Sequence, residues 1–148
     1  MSDAIQILLV EDNPDDVELT LDALSTNKVS NKIHVVRDGA EAVDFLFCTG
    51  TYADREPNKM PKLVLLDLKL PKIDGLEVLR IIKNDARTRR VPVVMLTSSR
   101  QENDIVSSYD FGVNGYIVKP VDFQHFNEAV RTLGLFWLLI NEPPPNPA

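Results

Sequence analysis

The chain has 148 residues, 44% of them hydrophobic and 26% charged, with a formal net charge of -6. That size fits one domain able to bury a core without disulfides or a structural metal, and the balance excludes a disordered, collagenous or coiled-coil chain. Net negative charge argues against a polyanion as main partner, so no direct nucleic-acid ligand is expected.

Cys48 is the only cysteine, which excludes an intramolecular disulfide or a thiolate metal cluster and suits a reducing cytoplasm. The N-terminus lacks the basic region and small-residue cleavage site of a signal peptide. The longest apolar run, LGLFWLLI at 133–140, falls short of the roughly 20 residues that cross a bilayer, so no membrane span is expected.

In chain order, the first apolar run is IQILLV at 5–10, and Asn13, Pro14, Asp15 and Asp16 then signpost a helix over 14–27. IHVV at 33–36 precedes a helix over 39–49 carrying Ala42, Val43, Leu46 and Phe47, which Gly50 can end. After a polar connection at 50–62, expected at the surface, come LVLL at 63–66 and a helix over 75–83. VPVVML at 91–96 leads to Ser99 and Glu102, spaced as a capping box at the head of a fourth helix that Gly112 can close. YIV at 116–118 leads to a fifth helix capped by Asp122.

The five runs are continuous rather than alternating, as strands buried on both faces are. The order (βα)₅ therefore implies a doubly wound five-stranded parallel sheet with ligands at the carboxyl ends of the strands, and the flavodoxin-like strand order 2-1-3-4-5 is the expectation. One folding unit over 1–140 and a proline-rich tail over 141–148 are expected. Phe123, Phe126, Val130, Leu133, Trp137 and Ile140 follow helical spacing as an inward face, while Leu135, Phe136, Leu138 and Leu139 widen it. Such a surface needs a second cover, and a homodimer through Phe136 and Trp137 is the expectation.

Glu11 and Asp12 follow the first strand and Asp67 the third, so the sheet brings three carboxylates to one rim. Like charges held together call for a cation, and a hard oxygen-seeking ion such as Mg²⁺ fits, leaving coordination positions for a phosphoryl group. Each acid alone reads as a turn or capping residue. Thr97 and Lys119 add a hydroxyl donor and an ammonium to the same rim, the groups a transferred phosphoryl needs. Gly75 reads equally as a helix start or as a point of close backbone approach. The Lys119–Pro120 bond is open to either isomer. His34 and His125 match no ligand pattern and read as structural or surface residues.

Taken together, VEDN, LLDLKLPKIDG, MLTSS and GYIVKP resemble the response-regulator receiver family of two-component signalling over about residues 5–140. The resemblance implies that Asp67 accepts a phosphoryl group from a phosphohistidine on a sensor histidine kinase. It implies that Asp12, Asp67 and the backbone carbonyl of Lys69 ligate Mg²⁺, or Mn²⁺ in its place, with Glu11 acting directly or through water. Lys119 and Thr97 are implied to hold phosphoryl oxygens, Pro120 to be structural, and Tyr116 to turn inward as Thr97 moves. The face made by the fourth helix, fifth strand and fifth helix is then the output. The side chains of Lys69 and Ser99 are implied to tune the phosphoryl lifetime. FLFCTGTY, LPKIDGLEVL and the FW pair further resemble the receivers that serve cyanobacterial phytochrome histidine kinases. Such a chain would catalyse only its own phosphorylation and slow dephosphorylation. Lacking an effector domain, it would signal to a downstream protein.

The rival enzyme is a phosphatase of haloacid dehalogenase type, but that class wants a second Asp where Lys69 stands. An FMN binder needs a phosphate-cradling loop where this chain has EDNPDD, and GxxxxGK[ST] is absent. A non-signalling α/β scaffold is the remaining alternative.

Overall fold

A computed structural model describes residues 6–26, 32–98 and 112–135. Its strands are β1 (Ile7–Val10), β2 (Ile33–Val36), β3 (Leu63–Asp67), β4 (Val93–Thr97) and β5 (Gly115–Val118). They form one parallel sheet in the order β2-β1-β3-β4-β5, the arrangement expected. The helices are α1 (Pro14–Thr26), α2 (Gly39–Phe47), α3 (Gly75–Lys83) and α4 (Phe123–Thr132).

Successive strand side chains point to opposite faces, so the continuous runs of β1, β3 and β4 each feed two cores. Leu8, Val10, Val64, Leu66, Val93 and Met95 pack with Phe45 and Leu46 of α2 and Val78, Leu79 and Ile82 of α3. On the other face Ile7, Leu9, Leu63, Leu65, Val94 and Leu96 pack with Val17 and Leu24 of α1 and Phe126 and Val130 of α4. Burial on both faces explains why β1, β3 and β4 show no alternation of apolar with polar residues.

Helix starts follow the local chemistry. Asn13 Oδ1 accepts from the backbone N–H groups of Asp15 and Asp16 at 2.8 and 3.1 Å, and Asp122 Oδ1 accepts from His125 N at 2.8 Å. Helix ends depart from expectation twice. Helix α2 stops at Phe47 because Cys48, not Gly50, takes the left-handed conformation, and Gly50 opens a short 3₁₀ turn. Helix α4 stops at Thr132 rather than running on toward Ile140. Gly134 has φ +75, its N–H bonds to Arg131 O at 3.0 Å, and Leu135 N–H bonds back to Val130 O at 2.9 Å. That pair of bonds is a Schellman closure, and it turns Leu135 in against the core instead of widening an outer face.

The connection at 50–62 is also more than a surface segment. Tyr52 packs edge-on against Phe45 at 5.0 Å, and the Arg55 guanidinium lies over the Phe45 ring at 3.9 Å while donating to the Phe45 carbonyl. Strand ends differ from the apolar runs by one or two residues, with β1 starting at Ile7 and β4 spanning Val93–Thr97. The fourth helix expected from Ser99, together with Phe136, Trp137 and the tail, lies outside the described residues.

Candidate phosphoacceptor and metal site

Sheet registry builds the site. Asp67 is the last residue of β3 and pairs with Leu96, while Thr97 ends β4 opposite Val118. Leu68 N–H bonds to Leu96 O at 2.9 Å and Lys119 N–H to Thr97 O at 2.6 Å, which fixes both loops as they leave the sheet. Glu11 N–H bonds to Val36 O at 3.0 Å, holding the β1 exit beside β2. The Lys119–Pro120 bond is cis.

Asp67, Glu11, Asp12, Lys69, Thr97 and Lys119 thus line one cleft of about 210 Å³ at the carboxyl ends of the strands. Carboxylate oxygens of Glu11, Asp12 and Asp67 lie within 4.8 Å of one another. The Lys119 ammonium sits among acids, 3.0 Å from Glu11 Oε1, 3.0 Å from Asp16 Oδ2 and 3.3 Å from Asp67 Oδ1. Tyr116 stands apart from the cleft on β5 with 37% of its surface exposed.

Burial sets the electrostatics. Glu11 is fully buried, and its carboxyl is pushed up to about 7 by that burial, by a hydrogen bond with Asp67 and by the Asp67 charge. Burial pulls the Lys119 ammonium down, but the hydrogen bonds it donates to Asp16 and Glu11 and the Asp67 charge outweigh it and hold Lys119 above the ordinary lysine range. Three carboxylates therefore share one ammonium with Asp12 close by, leaving a deficit of positive charge beside clustered oxygen donors. Such a set fits a hard divalent cation that takes one or two carboxylates and leaves positions open. Thr97 Oγ1 is buried and finds no hydrogen-bond partner among the described residues. An unpaired hydroxyl beside an ammonium at the cleft wall fits the arrival of an anion.

Backbone proximity matters as much. A Cβ on Gly75 would lie 2.2 Å from the Asp67 carbonyl oxygen and 2.5 Å from that of Leu68. Gly75 N–H bonds to Leu68 O at 3.1 Å, so the position is both a helix start and a close approach. Gly39 does the same for the neighbouring loop, since a Cβ there would lie 1.9 Å from Ile73 O.

Asp16 is the site residue the sequence reading left among the helix-capping acids. It stands in the first turn of α1, where the helix leaves the rim, and its carboxylate lies 3.0 Å from the Lys119 ammonium.

The response regulator receiver domain matches the chain over residues 7–131. Response regulator Rcp1 of Synechocystis sp. is 41% identical over 132 residues, covering 89% of this chain and 88% of the relative. The structure of the bacteriophytochrome response regulator AtBRR is 55% identical with a TM-score of 0.85, over 95% of this chain and 100% of that one. The phosphorylated cyanobacterial phytochrome response regulator RcpA is 42% identical with a TM-score of 0.75, over 97% and 99%. A Mn²⁺-bound form of Rcp1 superposes with a TM-score of 0.73 at 39% identity, over 96% and 98%. Sheet order, cleft and relatives agree, and the chain belongs to the response regulator receiver domain family of two-component signalling.

Proposed function

We propose that this receiver takes a phosphoryl group onto Asp67 from a phytochrome-type sensor histidine kinase, with Mg²⁺ at the acidic cluster. The observation that carries the reading is the Lys119 ammonium 3.3 Å from Asp67 Oδ1, in a cleft also lined by a buried Thr97 hydroxyl that has no partner among the described residues. Relatives that serve phytochromes, one of them phosphorylated, support the choice of kinase.

An Asp67 carboxylate oxygen attacks the phosphorus of a phosphohistidine, the P–N bond breaks, and the imidazole leaves with the electron pair. Asp12, Asp67 and the Lys69 carbonyl would hold Mg²⁺, or Mn²⁺ as in the Rcp1 form, with Glu11 behind them. When bound, the ion neutralises charge building on the phosphoryl oxygens. Lys119 donates to one phosphoryl oxygen and Thr97 to another, which draws the end of β4 toward Asp67. Met95 pairs with Tyr116 across β4 and β5, so that shift reaches the outer face where Tyr116 turns inward. The output is a change in the face formed by residues 99–111, β5 and α4, read as a population shift by a downstream protein. The chain catalyses its own phosphorylation and slow dephosphorylation and no other reaction.

The receiver unit extends to residue 140 with 141–148 as a tail, and the chain acts in the cytoplasm. A homodimer through Phe136 and Trp137 covers the apolar end, and light scattering that returns a monomer at high concentration with and without phosphorylation removes it.

The test of the central reading is intact mass after incubation with a small phosphodonor and Mg²⁺. Wild type gains one phosphoryl group and Asp67→Asn gains none. An equal gain in both moves the acceptor elsewhere, and no gain in wild type favours the scaffold.

A further inference from the structure

An ammonium has three N–H donors and no more. In the unphosphorylated protein those of Lys119 face three carboxylates: two hydrogen bonds of 3.0 Å to Glu11 and Asp16, and an ion-pair contact of 3.3 Å to Asp67. A phosphoryl oxygen arriving on Asp67 competes with these carboxylates for the ammonium.

The three differ in what release costs. The Glu11 side chain is 1% exposed, so its abandoned carboxylate would find no water. Asp67 carries the incoming group and stays in place. The Asp16 side chain is 29% exposed at the start of α1, and solvent replaces the ammonium there at little cost. We infer that Asp16 is a positioning residue that latches Lys119 away from the phosphoryl position in the resting protein, and that uptake of the phosphoryl group exchanges Lys119 from Asp16 to a phosphoryl oxygen.

Two consequences separate a latch from a stabilising surface charge. The latch opposes phosphoryl capture, so loss of the Asp16 charge strengthens binding of a phosphoryl mimic. The effect belongs to contact, so it does not extend to Asp15, which is exposed one residue earlier on the same turn and is not among the three ion-pair partners of Lys119.

The inference rests on Asp67 as the phosphoacceptor, and one titration tests both. Beryllofluoride binding to the full chain is followed by fluorine NMR at saturating Mg²⁺. Asp16→Asn and Asp16→Ala bind about threefold to tenfold more tightly than wild type. Asp15→Asn and the charge-retaining Asp16→Glu match wild type, and the Lys119 Nζ resonance moves in resting Asp16→Asn but not in Asp15→Asn. Unchanged or weaker binding by Asp16→Asn overturns the latch, as does equal tightening by Asp15→Asn, which would reflect only the field of a lost charge. A wild-type protein that fails to bind beryllofluoride overturns the phosphoacceptor reading itself, and the latch falls with it.

Discussion

Lys119 Nζ stands 3.3 Å from Asp67 Oδ1, although β4 lies between the strands that carry them. The contact does structural as well as chemical work, because Glu11 and Asp67 are both buried and Lys119 is their cation. Lys119→Gln should therefore lower stability by about 3 kcal/mol in metal-free urea unfolding, the usual result of leaving buried charge unpaired. Saturating Mg²⁺ should recover part of that loss. A variant as stable as wild type without metal would show that the ammonium does not compensate these acids.

Thr97 presents the opposite balance. Its hydroxyl is buried without a partner among the described residues, which costs about 1 kcal/mol or more. Thr97→Val keeps the shape and removes the orphan, so it should leave stability unchanged or raise it by about 1 kcal/mol. The same variant should still gain mass from a phosphodonor but lose the phosphorylation-dependent chemical-shift change at Tyr116. A stable variant with a full Tyr116 response would break the link from hydroxyl to output face.

Gly75 ties helix packing to the acceptor loop. Gly75→Ala places a methyl 2.2 Å from the Asp67 carbonyl oxygen, so α3 or the loop must retreat. The expected destabilisation is about 1–3 kcal/mol in denaturant unfolding. Weaker Mg²⁺ binding by calorimetry should accompany it, because the displaced loop also carries Lys69. Alanine at Gly112 gives a contrast: there the strain comes from φ +86 alone, with the nearest neighbour, the flexible Lys83 side chain, 3.6 Å away. That variant should leave Mg²⁺ binding intact.

Glu11, Asp12, Asp67, Thr97 and Lys119 are legible in the sequence because each stands where a continuous apolar run stops, and a parallel sheet brings such ends to one rim. Asp16 is hidden because an acid in the first helical turn already has a sufficient explanation in the helix dipole. Its part at the cleft appears only once α1 is set against β5. The stop of α4 is hidden for a related reason. Apolar spacing runs through Leu133 and Leu135, and Gly134 announces a turn only when its two backbone bonds are seen. The packing of Tyr52 and Arg55 on Phe45 depends on tertiary contact, to which local composition is blind.

That packing yields a pH dependence centred on His34. Its ring stacks on Phe45 at 4.7 Å, and its Nε2 lies 3.0 Å from the Tyr52 hydroxyl, which itself donates to Glu41 Oε2 at 2.6 Å. Because the Tyr52 proton goes to Glu41, the hydroxyl oxygen accepts from Nε2–H of a neutral imidazole. Burial lowers the His34 pKa below its ordinary 6.5, against the opposing pull of Glu41 and with the help of Arg55 and Lys32. A histidine whose folded value is depressed contributes stability that is complete above the unfolded value and is lost as pH falls through the folded one. The advantage of wild type over His34→Phe in urea midpoint should therefore shrink as pH falls below 6.5, a trend opposite to that of Glu11, whose raised carboxyl adds stability as pH falls below about 7. The His34 ring should titrate below 6.5 by NMR in the folded chain. A midpoint above that value would reverse the sign and show that the Glu41 charge, rather than burial, governs this corner of the fold.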